Sequence, residues 1–356
     1  MINNFVRKEL VNLQPYTCAR DLYSEGIFLD ANENSFGSTV KIPYKNRLNR
    51  YPDPYCLDLK KAILKYLNFS FINVENIFVG SGSDEIIRLL MGLFIDKNDE
   101  IIINEPTYGM YRVAADITGA KVIAVDLDAD FKLDLKKITS VIGKKTKLIF
   151  CCSPNNPTGN LMRIEDVTEL CSNFNGYIVL DEAYVEFSSK GSMMGLLEKF
   201  SNLLILRTFS KAWGLAGLRL GYMIGNEGVV AYLNKIKLPY NVNSLSQSFG
   251  IKALENTASL KEMLAQIDVE RSWLARQLEA LGLKVFSSEA NFLMVKVEGR
   301  DDTLASRVVK TLAEDEGIVV RDFSTKSGLK NCFRITVGTP KQNKMLIQSL
   351  TSILGK

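Results

Sequence analysis

Short apolar runs alternate with helical patterns over the first two-thirds of the chain. These runs predict seven strands, at residues 77–79, 101–103, 122–125, 148–151, 178–180, 203–206 and 220–224. Several of them are apolar at successive positions, which is typical of strands that helices cover on both faces in a mostly parallel sheet. The apolar positions of residues 86–94 recur at the spacing of a buried helix face, and Asp84 is expected to cap that helix. The pattern predicts an α/β fold with a mostly parallel central sheet.

The pattern changes after Pro239. Two long helical stretches, at 244–256 and 260–281, are followed by strand candidates at 292–297, 318–320 and 333–337. A length of 356 residues also favours about two domains. We therefore expect an N-terminal arm at 1–29, a large domain at 30–243 and a smaller α+β domain at 244–356. The arm is expected to belong to the small domain or to contact a second subunit, and ligand chemistry is expected in the crevice between the domains.

Charge and composition describe an ordinary globular protein. The 44 basic and 40 acidic residues leave a net charge of +4, and Lys and Arg alternate with Asp and Glu along most of the chain. A nucleic-acid partner is therefore not predicted. The N-terminus lacks a signal-peptide pattern and no segment has the apolar run of a membrane span, so we expect a cytoplasmic protein without membrane contact.

The chain contains no histidine. This removes the commonest general base and the commonest metal ligand, and excludes Ser-His-Asp hydrolases, Cys-His proteases and zincins. Six cysteines occur without a CxxC pair, which predicts reduced, mostly buried thiols rather than a zinc cluster or a disulfide framework. No metal site is expected.

Two polar groups follow predicted buried strands. Lys211 lies in the segment LRTFSKAWG, flanked by hydroxyl-bearing and small residues, and a partly desolvated lysine is the amine that forms Schiff bases. Asp181 ends the run IVLD, at the edge where open parallel sheets bind ligands, and could meet a cationic ring nitrogen. Taken alone, a lysine in such a position is more often a surface lysine, and an aspartate like Asp181 is more often a helix cap.

Two loops complete this group. SPNNPTG at 153–159 follows a strand and carries two amides that can donate to an oxygen, although it is also an ordinary turn. GSGSDE at 80–85 joins a strand to a helix and presents backbone N–H groups to a phosphate. A dinucleotide fingerprint is the alternative, but Glu85 replaces its third glycine, which favours the phosphate cradle.

These segments resemble the fold-type I pyridoxal-phosphate aminotransferases, and most closely the histidinol-phosphate aminotransferase family. The matching motifs span residues 16–339 and include LDANENSFG, RYPDP, GSGSDE, EPTYGMY, SPNNPTG, VLDEAYVEF, LRTFSKAWGLAGLRLGY, PYNVNSLSQ and RITVGT. The resemblance implies a fold-type I architecture with a second, smaller α+β domain. It also implies a homodimer that transfers amino groups between histidinol phosphate and the glutamate/2-oxoglutarate pair in histidine biosynthesis.

The resemblance also implies roles for individual residues. Lys211 is expected to bond covalently to pyridoxal 5′-phosphate and to move the substrate's α-proton, with Asp181 on the ring nitrogen and Tyr184 and Asn156 on the ring oxygen. The full implied cofactor set is Ser83, Asp84, Tyr108, Asn156, Asp181, Tyr184, Thr208, Ser210, Lys211 and Arg219, with Tyr51 from a second subunit.

Substrate residues are implied in the same way. Arg334 is expected to bind the substrate's anionic group, with Arg321, Tyr16 and Asn156 nearby; an arginine fork accepts a carboxylate or a phosphate. Aromatic aminotransferases and threonine-phosphate decarboxylases share most of these motifs and remain alternatives. A nicotinamide dehydrogenase is disfavoured by the incomplete fingerprint. A transcription regulator is disfavoured because the motifs begin by about residue 30.

Overall fold

A seven-stranded sheet forms the centre of the protein. The computed structural model describes residues 26–29, 32, 34–36, 52–299 and 301–356. In chain order the strands of this sheet are β2 (Ile77–Gly80), β3 (Glu100–Glu105), β4 (Lys121–Asp126), β5 (Thr146–Cys152), β6 (Tyr177–Asp181), β7 (Leu203–Thr208) and β8 (Gly221–Ile224). Their spatial order is β2-β8-β7-β6-β5-β3-β4, and only β8 is antiparallel to its neighbours. The predicted, mostly parallel sheet is confirmed.

Both faces of the sheet are buried, which explains the successive apolar residues. Along β5, Ile149 packs into the core on one face and Phe150 into the core on the other. The covering helices are α1 (Leu57–Leu67), α2 (Ser83–Phe94), α3 (Met110–Thr118), α4 (Leu135–Val141), α5 (Ile164–Asn173) and α6 (Glu227–Ile236). The sheet is therefore the middle layer of three.

Helix α2 begins at a different residue from the predicted one. Gly82, at a φ of +79°, occupies the capping position, so Asp84 lies within the first turn and does not cap the helix. The loop is closed instead by Glu85, whose carboxylate accepts from the backbone N–H of Ser81. The predicted apolar face is present, with Ile86 and Leu90 fully buried.

A smaller sheet lies in the C-terminal part. Its strands are β9 (Lys284–Val285), β10 (Phe292–Lys296), β12 (Arg321–Asp322) and β13 (Cys332–Thr336), antiparallel in the order β12-β13-β10-β9. The helices of this part are α7 (Ser244–Glu255), α8 (Thr257–Ala280), α9 (Leu304–Glu314) and α10 (Pro340–Ile353). No helix in the described part of the chain is long and apolar enough to span a bilayer.

The first described residues pack with this C-terminal part. Strand β1 (Ile27–Phe28) pairs in parallel with β11 (Ile318–Val319), and Leu29 joins the core beneath the small sheet. Residues 1–25 lie outside the described part of the chain, so the arm predicted at 1–29 is described only at its end. The domain limits at 29/30 and 243/244 stay a prediction.

The topology brings the predicted polar groups to one edge. Because β2, β3, β5, β6 and β7 run in the same direction, the loops at their carboxyl ends lie at the same edge of the sheet. The small sheet reaches this edge through Arg334 on β13, which contacts Asn156 in the loop after β5.

Candidate active site

Asp181 is a buried carboxylate at the end of β6. Its exposed fraction is 2%. One oxygen, Oδ2, accepts from the Tyr111 hydroxyl at 2.7 Å, and Oδ1 accepts from the Ala183 backbone N–H at 3.0 Å. Burial raises the pKa of Asp181 to about 6, although the Tyr111 hydrogen bond opposes that rise. No lysine or arginine of the described residues forms an ion pair with it, so this edge of the sheet favours a cationic ligand group.

Lys211 lies in the loop after β7 and is partly buried. Its Nζ is 5.8 Å from the centroid of the Tyr184 ring. Two buried hydroxyl residues precede it: the Thr208 Oγ1 accepts from the Ser210 backbone N–H at 3.1 Å and donates to the Leu220 carbonyl at 3.3 Å. The structure therefore brings the predicted amine next to the predicted phenol.

A chain of hydrogen bonds joins the two sheets. Arg334 Nη1 donates to the Asn156 Oδ1, and the Asn156 Nδ2 donates to the Tyr184 Oη at 3.3 Å. The Arg334 guanidinium also lies over the rings of Phe292 and Phe323, at 5.1 and 5.5 Å from their centroids. Burial raises the pKa of Tyr184, against the opposing influence of Arg334. The predicted substrate arginine is thus linked through Asn156 to the predicted catalytic phenol.

Only one of the two amides of SPNNPTG takes part in this chain. The fully buried Asn155 donates through Nδ2 to the Pro106 carbonyl at 2.9 Å and to the Thr158 hydroxyl at 2.7 Å, and its Oδ1 accepts from the Thr107 hydroxyl. Asn155 therefore uses its donors on oxygens of the protein, one in its own loop and one in the loop after β3, which leaves Asn156 as the amide of this loop that bonds to Tyr184.

The predicted phosphate residues meet at the start of α2. Asp84 accepts from the Tyr108 hydroxyl at 2.9 Å and pairs with Arg219 at 3.2 Å. Gly82 has a φ of +79°, which strains any other residue, and a Cβ at Gly221 would lie 2.7 Å from the Ser83 backbone nitrogen. Both positions therefore require glycine. The first-turn N–H groups of α2 have no side-chain cap, which suits an anion.

Glu85 accounts for the incomplete dinucleotide fingerprint. Its carboxylate accepts from the Asn241 Nδ2 at 2.9 Å as well as from Ser81. It therefore fastens the loop to the segment before α7, and the third glycine's place is filled by a structural carboxylate.

Arg321 and Arg334 are direct neighbours in the small sheet. They are register partners on the antiparallel strands β12 and β13, so their side chains start from the same face. Like charges in this arrangement repel each other, and an anion between them relieves the repulsion. Tyr16 and Tyr51, also predicted site residues, lie outside the described residues.

Sequence reasoning missed two residues that contact the site. Tyr111 lies one helical turn after Tyr108 in EPTYGMY, and that spacing was the available signal. Asn32 lies in LDANENSFG and donates to the Tyr184 hydroxyl at 3.1 Å. No local pattern indicates that bond, since 152 residues separate its partners.

Comparison with known proteins assigns the chain to a family. The aminotransferase class I and II family matches residues 25–350. The chain is 41% identical to the histidinol-phosphate aminotransferase of Cytophaga hutchinsonii, covering 98% of each, and 41% identical to that of Christiangramia forsetii, covering 99% of this chain and 98% of the relative. A crystal structure of the Sinorhizobium meliloti histidinol-phosphate aminotransferase in complex with pyridoxal-5′-phosphate has a TM-score of 0.88 at 25% identity, covering 98% of this chain and 97% of that one. The protein therefore belongs to the aminotransferase class I and II family.

Proposed function

We propose that this protein is a pyridoxal-phosphate-dependent aminotransferase whose substrate is histidinol phosphate, with glutamate and 2-oxoglutarate as the second pair. Family membership supports the reaction class. The names of relatives at 41% identity over nearly the whole chain support the substrate. The observation that carries the substrate class is the cross-strand pair Arg321 and Arg334, which favours a doubly charged anion.

The residues at the sheet edge fit pyridoxal phosphate. Asp181 is a buried carboxylate that forms no ion pair with the described residues, and a protonated ring nitrogen supplies a cation. The start of α2 at Ser83 and Asp84, the hydroxyls of Thr208 and Ser210, and Arg219 supply donors for a phosphate. Lys211 supplies the amine for the aldehyde, and Tyr108 an aromatic face. When bound, the cofactor supplies an electron-accepting ring that allows the substrate's α-proton to leave.

Each residue then has a defined task. Asp181 holds the proton on the ring nitrogen; a carboxylate about 3 Å from a cation gains roughly 5 kcal/mol at an effective dielectric near 20, before desolvation is subtracted. Lys211 would move the proton of the substrate's α-carbon. Tyr184 and Asn156 would hold the cofactor's ring oxygen through hydrogen bonds.

Arg334 and Arg321 bind the anionic group at the α-carbon end of the substrate. Glutamate presents a carboxylate and histidinol phosphate presents a phosphate, and a guanidinium fork accepts both. Tyr16 is proposed to assist at the same end. Aromatic amino acids present only a singly charged α-carboxylate at this end, which attracts this pair of arginines less strongly than a doubly charged phosphate does.

The active unit is proposed to be a homodimer. Four exposed apolar side chains form a candidate interface. Tyr55 precedes α1, Leu57 is the first residue of α1, and Leu238 and Tyr240 follow α6. The two segments are adjacent, since the Lys237 Nζ is 6.0 Å from the Tyr55 ring centroid. Tyr51 precedes this surface by four residues, so a subunit docked there would bring its Tyr51 near the partner's phosphate site.

We also propose a cytoplasmic location. The cysteines at 56, 151, 152, 171 and 332 are free and buried, and in the described part of the chain none forms a disulfide. Reduced thiols of this kind are typical of a reducing compartment.

Comparison of three amino donors tests the substrate assignment. Steady-state kcat/KM is measured for histidinol phosphate, phenylalanine and threonine phosphate with 2-oxoglutarate, and carbon dioxide release is followed for the last. We expect histidinol phosphate to be preferred. Equal or better turnover of phenylalanine, or decarboxylation of threonine phosphate, would replace the assignment with one of those activities.

Arg321→Gln tests whether Arg321 binds the phosphate of histidinol phosphate. We expect kcat/KM for histidinol phosphate to fall by about tenfold to a hundredfold, the scale of one charge-assisted contact, with little change for phenylalanine. Arg307→Gln, on the exposed face of α9, is the matched control. Equal losses for both donors would show that Arg321 does not bind the phosphate.

A further inference from the structure

Asn32 connects the N-terminal segment to the centre of the active site. Its exposed fraction is 1%, although it lies outside the helices and strands. Its backbone N–H donates to the Thr336 Oγ1 at 3.0 Å, the same hydroxyl donates to the Asn32 Oδ1 at 2.9 Å, and the Asn291 Nδ2 donates to the Asn32 carbonyl at 3.0 Å. These bonds fasten Asn32 to β13 and to the residue before β10, and leave its Nδ2 for another acceptor.

That acceptor is the Tyr184 hydroxyl, 3.1 Å away. The same oxygen accepts from the Asn156 Nδ2, whose orientation is fixed because the Asn156 Oδ1 accepts from Arg334, a residue that can only donate. With two amide donors on its lone pairs, the phenol keeps its own proton for an acceptor in the cleft.

The backbone at Asn32 also requires this type of residue. Its φ is +54°, in the left-handed region that asparagine and aspartate tolerate better than other side chains. Two residues later, Asn34 donates to the carbonyl of Ala212, the residue after Lys211, at 3.0 Å. Asn32 and Asn34 therefore bond to Tyr184 and to the residue next to Lys211.

We propose that Asn32 is a positioning residue that fixes the direction of the Tyr184 hydrogen bond, so that the phenol donates its proton to the ligand in the cleft. The proposal rests on the proposed function for the identity of that ligand, the ring oxygen of pyridoxal phosphate. The direction of the bond is a property of the protein itself. Asn32 acts through Tyr184 and need not touch substrate.

Substitution with aspartate reverses this bond. Asn32→Asp keeps the size of the side chain, the left-handed backbone and an acceptor for Thr336, but a carboxylate can only accept, so the Tyr184 proton turns away from the cleft. Asn32→Ala removes the anchor to Thr336 and the donor together. If Asn32 served only to hold the structure, Asn32→Ala would perturb the site more than Asn32→Asp. If Asn32 sets the direction of the Tyr184 hydrogen bond, Asn32→Asp should perturb the site more.

The loaded protein provides the first readout, the pH midpoint of the cofactor's visible absorption. Loss of the phenol's donation destabilises the anionic ring oxygen, so in Asn32→Asp we expect the midpoint to rise by about one pH unit, a tenfold change in proton affinity. Asn32→Ala should move it less, and Thr336→Ser, which keeps the hydroxyl, should leave it unchanged. An unchanged midpoint in Asn32→Asp, or a larger shift in Asn32→Ala, would overturn the proposal.

The cofactor-free protein provides the second readout, the ¹³C resonance of the Tyr184 ring carbon that bears oxygen, assigned with Tyr184→Phe. Among the described residues, the charged or titratable groups near the ring are Lys211, Arg334, Asp181 and Cys152, and all are unchanged in the variants. At neutral pH the resonance of Asn32→Asp should lie downfield of wild type, because the phenol then donates to a carboxylate instead of accepting from an amide; an unchanged resonance would refute the proposed direction. Failure to bind pyridoxal phosphate would refute the proposed function but leave this readout intact.

Discussion

The hydroxyl of Tyr111 donates to the carboxylate of Asp181 across 2.7 Å, and both side chains are buried. Tyr111 is held by the Phe150 ring, which stacks on it at 4.7 Å, and by the edge of Tyr108 at 5.6 Å. Burial raises the pKa of the Tyr111 phenol well above its ordinary value, and the neighbouring Asp181 raises it further, so Tyr111 remains a donor at neutral pH. The predicted anchor of the cofactor's ring nitrogen is thus held in place by a residue in the first turn of α3.

Tyr111→Phe removes this donor while keeping the ring. A hydrogen bond to a charged group contributes about 1.5–3 kcal/mol, so we expect kcat to fall by about tenfold or more, with bound cofactor retained. Tyr177→Phe is the control. Tyr177 is the first residue of β6, the strand that ends at Asp181, and its substitution should leave kcat unchanged. Wild-type kcat in Tyr111→Phe would show that Asp181 needs no such support.

The raised pKa of Asp181 predicts how the stability of the cofactor-free protein depends on pH. Its pKa in the folded protein, about 6, lies above the ordinary 3.8. The folded state therefore binds more protons than the unfolded state in this interval, and a stabilising contribution that is complete below about pH 4 is lost as the pH rises to about 6. The change amounts to about 3 kcal/mol.

Urea unfolding of wild type and Asp181→Asn, each without cofactor, measures this change. As the pH rises from about 4 to about 6, the free energy of unfolding of wild type should fall relative to that of the variant. Pyridoxal phosphate, whose protonated ring nitrogen supplies a cation for Asp181, should abolish this difference in slope. Parallel curves for the two cofactor-free proteins would contradict the assignment.

A buried ion cluster supports the strands that carry Asp181 and Thr208. Arg207 pairs with Glu182 at 2.9 Å and with Glu186 at 3.2 Å, and all three side chains are at most 5% exposed. Burial raises the pKa of Glu186, with its attraction to Arg207 opposing the rise. Arg207→Met leaves two carboxylates without a cation and should lower the free energy of unfolding by about 3–5 kcal/mol.

Glu186→Gln is the informative comparison, since it keeps an acceptor for Arg207 and the Glu182 pair. We expect a change of about 1 kcal/mol or less in urea unfolding. Arg307→Met, which breaks an exposed pair with Asp301, provides the surface reference. If Arg207→Met cost no more than that reference, the cluster would be irrelevant to stability.

The proposed dimer can be tested at Leu238, whose exposed fraction is 74%. A charge there opposes burial against a second subunit, so Leu238→Asp should shift sedimentation toward the monomer and reduce activity. Val269→Asp, at another highly exposed apolar position on α8, is the control. Unchanged sedimentation of both variants would place the interface elsewhere.

Complementation tests whether Tyr51 serves the partner's site. In a mixture of Lys211→Ala and Tyr51→Phe subunits, each heterodimer would contain one site with an intact Lys211 and an intact Tyr51. Activity should therefore exceed that of either variant alone. No gain on mixing would mean that Tyr51 acts within its own subunit or not at all.

The sequence predicted the strands better than the side-chain contacts between distant residues. Strands such as β5 and β6 are apolar at successive positions because both faces are covered, so they were located correctly, and the groups at their ends followed from topology. Asp84 was assigned to the wrong place because α2 begins at Ser83, after Gly82 with its φ of +79°, and the apolar pattern of the helix does not encode that backbone conformation. Asn32 was missed because its partners Tyr184 and Thr336 are 152 and 304 residues away.

The most direct test of the central claim is the visible absorption spectrum of the protein with pyridoxal phosphate, recorded before and after addition of histidinol phosphate. Wild type should show a visible band that histidinol phosphate removes and 2-oxoglutarate restores. Lys211→Ala should show neither change, whereas Lys190→Ala, at an exposed lysine, should match wild type. A wild-type spectrum indifferent to histidinol phosphate, or a Lys211→Ala protein that still responds to both substrates, would contradict the account.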